Sequence, residues 1–244
     1  RIAGWYIPAS RDIGPTGPTV ILVHGFSAGK ASILEYGAGL HRDFNLVAFD
    51  LRWSGRSSGG TPTAGVLEQQ DLRAILDWLE RTKHPGEIGV LGNSLGAVLA
   101  LAEARDDPRV RAFALDSMHT RTAHQIDARV AHEPLPSYWG TTWAIISAVY
   151  LRTGVDIGSI DAEDSWRGLA GRPVLLTHGT ADNEDLPERT QSFYEELRAG
   201  GVPAQLEWCP NSGHNAAAGM PVRVCADDFA RWTSDFFTRT LGAS

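Results

Sequence analysis

Short apolar runs alternate with longer helical patterns along most of the chain, and this alternation is the strongest constraint on its fold. "TVILVHG" (19–25), "NLVAFD" (45–50), "IGVLG" (88–92), "VRAFALD" (110–116), "PVLLTHG" (173–179) and "AQLEWCP" (204–210) read as strands. They are brief, carry β-branched residues and are bounded by turn formers. Between them "SILEYGAGLHRD" (32–43), "VLEQQDLRAILDWLERT" (66–82), "SLGAVLALAEAR" (94–105), "LPERTQSFYEELRAGG" (186–201) and "VCADDFARWTSDFFTRTL" (224–241) read as helices. Leu72, Ile75, Leu76 and Leu79 fall on one helical face, as do Cys225, Phe229, Trp232 and Phe236. The opening "RIAGWYIP" resembles the middle of a strand, which points to a segment upstream of Arg1.

Strands alternating with helices predict an α/β fold: a mostly parallel central sheet with helices on both faces. Functional side chains then belong at the C-terminal ends of the strands. One stretch breaks the rhythm. Residues 117–170 hold no clear strand but carry Trp139, Trp143, Trp166 and the apolar "WAIISAVYL" (143–151). The expected organisation is a core formed by 1–116 and 171–244, interrupted by an insertion at 117–170.

Composition narrows the function classes. The net charge is −7 and no basic block occurs, so nothing points to nucleic acid. No Cys/His spacing resembles a zinc site, so no metal is expected. No stretch approaches the ~18 apolar residues of a membrane span. The two cysteines, Cys209 and Cys225, suit buried structural roles better than catalysis, and the sequence leaves their pairing open.

Gly-x-Ser-x-Gly marks many nucleophilic serines, and here it occurs three times: "GFSAG" (25–29), "GRSSG" (55–59) and "GNSLG" (92–96). With 26 glycines a chance match is unremarkable, so context decides. The chemistry needs a strand, a tight turn bearing the serine and an immediate helix. "GRSSG" lies in a loop rich in Gly, Ser and Pro. After "GFSAG" the apolar periodicity resumes only near Ile33. "GNSLG" alone is entered by a strand and left by a small-residue helix, whose N-terminus favours developing negative charge. Ser94 is therefore the expected nucleophile.

A serine needs a base, and the base needs an orienting acid. His214 follows the last strand in a Gly-containing loop. Asp182 follows the strand before it, with Asp185, Glu184 and Asp116 as competitors. His119, His124 and His132 fall in the insertion and read as surface residues, and His178 reads as a strand-end residue bonded to backbone. The expected oxyanion donors are the backbone N–H groups of Leu95, just after the serine, and Phe26, in the first loop. Ser27 then belongs to a donor loop rather than to the chemistry.

Taken in order, "HGF", "FDLRWSGRSSG", "GNSLGA", "HGTAD" and "SGHN" resemble the α/β-hydrolase superfamily over nearly the whole chain. "RIAGWYIP" and "FDLRWSGRSSG" resemble its serine-aminopeptidase-like or lysophospholipase-like branch. The resemblance implies an α/β-hydrolase fold with a short helical cap at 117–170 lying over the site. Trp53 departs from the family, which often has Gly there. Trp53, Trp139 and Trp143 are candidate substrate contacts. Many relatives carry a membrane anchor before this domain, so an anchor upstream of Arg1 is an expectation, as is a cytoplasmic or an anchored location. Oligomeric state is open.

The function that follows is a serine esterase for small-molecule esters of short or medium acyl chain, with no cofactor. The alternatives are an acyl thioesterase and a peptidase, for which Glu133, Asp161, Glu163 or Asp164 would hold the free amine. A non-catalytic binding protein on the same fold is a third. A dehalogenase is disfavoured, because its nucleophile would be Asp where Ser94 stands.

Overall fold

Seven strands pair into a single sheet in the computed structural model, which describes residues 1–105, 107–118, 126, 138–159, 165–169, 171–214 and 225–242. In chain order they are β1 (Gly4–Ile7), β2 (Thr19–Val23), β3 (Asn45–Phe49), β4 (Ile88–Asn93), β5 (Val110–Asp116), β6 (Val174–Gly179) and β7 (Ala204–Cys209). Their spatial order is β1-β3-β2-β4-β5-β6-β7. Only β1 runs antiparallel, along the outer side of β3. Every residue of β2, β3, β4 and β6 is buried. That is why these segments read as continuous apolar runs rather than alternating ones.

Two layers of helix cover the sheet. On one face lie α2 (Gln69–Thr82) and α3 (Leu95–Ala104), where Leu72, Leu76 and Leu79 join Val98 and Leu101 in one core. The same core takes in Phe193 and Leu197, which lie on the helix Pro187–Ala199. The opposite core packs Leu22, Leu46 and Leu91 of the sheet against Phe229, Phe236 and Phe237 of the helix Ala226–Leu241.

The expected helix over 32–43 is a correction. A helix exists only at α1 (Lys30–Ile33), after which the chain descends through consecutive turns closed by bonds such as Tyr36 N–H to Ile33 O and Gly37 N–H to Leu34 O. Two glycines explain this. A Cβ on Gly37 would sit 2.7 Å from Leu22 Cδ1, and one on Gly39 would sit 2.8 Å from Ala230 Cβ. Close packing requires glycine at both places, and two glycines two positions apart weaken a helix.

Within the 117–170 insertion, residues 119–125, 127–137, 160–164 and 170 lie outside the described residues, as do the side chains of Tyr138, Trp139 and Ser165. Among the described residues of this stretch are α4 (Tyr138–Thr153), on which Trp143, Tyr150 and Leu151 are exposed, and two short 3-10 helices at Ile157–Ser159 and Ser165–Leu169. Trp166 packs against the core instead, and its ring lies so near Gly200 that a Cβ there would be 2.1 Å away. The helices at Pro187–Ala199 and Ala226–Leu241 are α5 and α6. Cys209, closing β7, is disulfide-bonded to Cys225, the residue before α6. This bond settles the pairing that the sequence leaves open, and both cysteines are buried.

Candidate active site

At the end of β4 the chain reverses into α3 through one residue. Ser94 holds φ 52° and ψ −120°, a conformation few non-glycine residues adopt. The strain is held by close packing on both sides. A Cβ on Gly92 would come within 2.4 Å of Gly96 O, and one on Gly96 within 2.1 Å of Val23 O. Both obstacles are backbone atoms that cannot swing aside. Gly96→Ala is therefore expected to cost about 3 kcal/mol or more, at the upper end of overpacking penalties. Urea denaturation would register the loss, and an unchanged midpoint would contradict this packing.

Asp116, at the end of β5, locks the turn. Its carbonyl accepts the Ser94 N–H at 2.8 Å, and its carboxylate accepts Asn93 Nδ2 at 2.9 Å and Thr177 Oγ1 at 2.7 Å. Burial pushes its carboxyl above the usual range, against those two hydrogen bonds. These bonds leave Asp116 holding the turn rather than the histidine.

The loops after β6 and β7 bring in the remaining groups. Ser94 Oγ lies 3.0 Å from His214 Nε2, and His214 Nδ1 lies 2.8 Å from Asp182 Oδ2. Facing a carboxylate, Nδ1 carries the proton, which leaves Nε2 as the acceptor for the serine hydroxyl. The two loops are fastened to each other. Thr180 N–H donates to Cys209 O, Asn211 N–H to Thr180 Oγ1 and Ala181 N–H to Ser212 O. Asp182 Oδ1 accepts the N–H groups of Glu184 and Asp185 at 2.9 and 3.0 Å. Burial alone would raise the Asp182 carboxyl. Hydrogen bonds from His178 and His214 outweigh it and hold that carboxyl well below the usual carboxylate range. Burial likewise opposes a charge on His214, but the bond to Asp182 wins and raises its pKa above the ordinary histidine value.

A family model described as "alpha/beta hydrolase fold" matches residues 18–145. The chain belongs to the α/β-hydrolase fold family. It is 36% identical to the uncharacterized protein YqkD of Bacillus subtilis over 204 residues, covering 80% of this chain and 64% of the relative. It is 25% identical to the uncharacterized protein YfhR of Escherichia coli K12 over 225 residues, covering 88% and 69%. The chain thus spans about two thirds of the length of these relatives. Among solved structures, the esterase Pf2001 of Pyrococcus furiosus superposes with a TM-score of 0.76 at 21% identity, over 99% of this chain and 88% of that one.

In this α/β-hydrolase the other two Gly-x-Ser-x-Gly stretches have structural work. Ser57 Oγ donates to Asp50 O at 2.6 Å and accepts the Ala3 N–H at 2.9 Å, joining the loop after β3 to the strand β1 region. The Asp50 carboxylate accepts the N–H groups of Lys30 and Arg56 and pairs with the Lys30 ammonium, so it knits both glycine-rich loops together. In the first loop His24 Nδ1 faces Gly25 O at 2.7 Å, while Nε2 accepts the Leu51 N–H at 3.0 Å. Burial lowers its pKa, so His24 stays neutral and serves as a strut. A Cβ on Gly25 would stand 3.2 Å from Ser94 Cβ, so the loop carrying Phe26 borders the nucleophile candidate directly. Leu95 opens α3, where a backbone N–H has no partner within the helix.

Trp53 packs edge-on to His24 and at 5.2 Å from Phe26, and its buried Nε1 has no hydrogen-bond partner. Trp143 is two-thirds exposed on α4. The Trp139 side chain, His119, His124, His132, Glu133, Asp161, Glu163 and Asp164 lie outside the described residues. Among the described residues no group of three or more His, Cys, Asp or Glu is placed to hold a metal ion, and no helix is long and apolar enough to cross a membrane.

His178 is the strand-end residue bonded to backbone that the sequence suggests, but its contact with Asp182 goes beyond that expectation. Its Nε2 lies 2.9 Å from Asp185 O and also 3.2 Å from Asp182 Oδ2, with Thr190 Oγ1 at 3.0 Å from Nδ1. Both atoms facing Nε2 are acceptors, so Nε2 carries a proton. The signal available was the four-residue step from His178 to Asp182 across the end of β6.

Proposed function

We propose that the chain is a serine hydrolase that cleaves carboxylic esters of short or medium acyl chain through an acyl-enzyme. The observation that carries this reading is the run of contacts from Ser94 Oγ to His214 Nε2 (3.0 Å) and from His214 Nδ1 to Asp182 Oδ2 (2.8 Å), mounted on a strained strand-to-helix turn. Ser94 attacks the ester carbonyl while His214 takes its proton, and Asp182 stabilises the imidazolium. Negative charge on the carbonyl oxygen is met by the Leu95 and Phe26 N–H groups and by the positive end of α3. His214 returns the proton to the departing alcohol, then activates the water that releases the acid. The fold likeness to an esterase agrees with this reading but does not choose the substrate. Trp53, beside Phe26, is placed to border the entering ester.

His214 works as a base only when neutral, and Asp182 raises its pKa. Activity should therefore climb with pH through that raised value. Labelling by a fluorophosphonate tests the nucleophile. The adduct is expected on Ser94 and is expected to vanish in Ser94→Ala, whereas an adduct on Ser27 or Ser57 would overturn the assignment. A panel of p-nitrophenyl esters of increasing chain length then ranks the acyl group, with the best kcat/KM expected for short to medium chains.

A further inference from the structure

Asp185 is a buried carboxylate that the reaction as drawn does not use. It is 3% exposed, and its Oδ2 has no hydrogen-bond partner. A carboxylate without a hydrogen-bond partner in a protein interior is costly; an amide of the same shape would lower that cost and an apolar side chain would avoid it. The group it faces suggests why the carboxylate is there. Asp185 Oδ2 lies 3.9 Å from His214 Nδ1, the same nitrogen that Asp182 holds at 2.8 Å. At 3.9 Å the interaction is one of charge, not a hydrogen bond.

We propose that Asp185 is a positioning residue for His214, a second carboxylate on the Nδ1 side of the ring that stabilises the imidazolium by charge alone. The inference rests on the reading of His214 as the base. Asp182 alone already fixes the tautomer and the ring. It is shared with His178, whose Nε2 lies 3.2 Å from the same Oδ2, so part of its negative charge is spent there. The Asp185 carboxylate is not tied up in the same way: His178 hydrogen-bonds the Asp185 carbonyl, and the carboxylate Oδ2 has no hydrogen-bond partner.

The groups around Asp185 make its charge adjustable. Among the described residues these are Asp182 and Glu184 on its own loop, His178 from the end of β6 and His214 from the loop after β7. Burial, then repulsion from Asp182, push the Asp185 carboxyl up to about 6, while the two imidazoles pull the other way. Below that value Asp185 is neutral and gives His214 little help. Above it the second negative charge is in place when the serine proton arrives. The sign for stability is opposite. A carboxyl whose folded pKa lies above its unfolded one loses stability as pH rises towards the folded value. An ionised Asp185 therefore destabilises the fold at the pH where it aids the base.

The experiment is Asp185→Asn, which keeps shape and removes charge. The titration of His214 is followed by 15N NMR on the resting protein, beside kcat and KM on a p-nitrophenyl ester. The His214 pKa is expected to fall by about one unit, the size of a tenfold change in the protonation equilibrium. The acid limb of the pH profile should move down with it. kcat should drop by roughly tenfold at pH 8, with KM within twofold, as for an interaction made only in the transition state. Asp185→Glu should restore part of kcat, and the thermal midpoint of Asp185→Asn should be at or above that of the parent at pH 8. An unchanged His214 titration overturns the proposal, and so does a kcat loss that merely follows a lowered midpoint. If the variant does not fold, the 13C carboxyl shift of Asp185 in the parent decides, because a titration step uncoupled from His214 overturns the pairing. The NMR titration needs no substrate. A chain that hydrolyses no ester yet shows the coupled shift keeps the charge pairing and loses the esterase reading.

Discussion

Ser94→Gly is expected to abolish ester hydrolysis and, compared with Ser94→Ala, to make the protein more stable. Both variants lack the hydroxyl, so the comparison isolates the backbone. At φ 52° and ψ −120° an alanine Cβ is as strained as the serine's, whereas glycine has no Cβ to clash. A strained residue of this kind costs about 1–3 kcal/mol. Glycine returns part of that gain through the extra freedom of the unfolded chain, about 0.4–1 kcal/mol. The net expectation is about 1 kcal/mol in favour of glycine, or a midpoint higher by roughly 2–4 °C for a domain of this size. Activity should fall by about four to six orders of magnitude in both variants, as when the nucleophile of an acting triad is removed. Differential scanning calorimetry and ester hydrolysis measure the two effects. Equal midpoints for the two variants would mean that the turn is not strained in solution. Retained hydrolysis would mean that Ser94 is not the nucleophile.

Ser94 is singled out from three matching pentapeptides by its surroundings, and the structure places it, alone of the three, directly between a strand and a helix. The strand before "GNSLG" and the small-residue helix after it impose the turn, and both are written locally as apolar run and periodicity. The same local logic located β2 to β7 to within about two residues; β2, β3, β4 and β6 are buried on both faces and need no tertiary clue, while the half-buried β7 is marked by its turn-forming flanks. It failed at 32–43, where Gly37 and Gly39 answer to Leu22 and Ala230, partners remote in sequence. It also undervalued His178 and Asp185. The step from His178 to Asp182 is local, but the approach of Asp185 to His214 crosses two loops, and no periodicity encodes that. Asp116 shows the converse. As an acid at a strand end it looked eligible to orient the histidine, but Asn93 and Thr177 occupy its carboxylate.

Removing the bridge with Cys209→Ala/Cys225→Ala is expected to lower stability strongly and activity only mildly. The bridge closes a loop with a sequence separation of 16, and His214 lies inside it. A loop of that length gains about 3 kcal/mol from cross-linking in the chain-entropy account. The corresponding drop in the thermal midpoint is roughly 6–12 °C for a domain of this size. The activity loss should be smaller, because the approach to His214 is fixed independently of the sulfurs. Asn211 is held to Thr180 and Ser212 to Ala181. Gly179 lies so close to Ser212 that a Cβ there would be 2.3 Å from its carbonyl oxygen. What the bridge adds is a tether from the end of β7 to the start of α6, whose Phe229, Phe236 and Phe237 are set in the core beneath the sheet. Below the lowered midpoint kcat should therefore stay within about tenfold of the parent, since the hydrogen-bonded geometry of the base is kept while its loop gains freedom. Reduction by dithiothreitol with thiol counting should reproduce the shift. A midpoint unchanged with both thiols free would show that the loop needs no cross-link. A collapse of kcat at 25 °C in a still-folded variant would show instead that the bridge, and not the bonds between the two loops, holds His214 over Ser94.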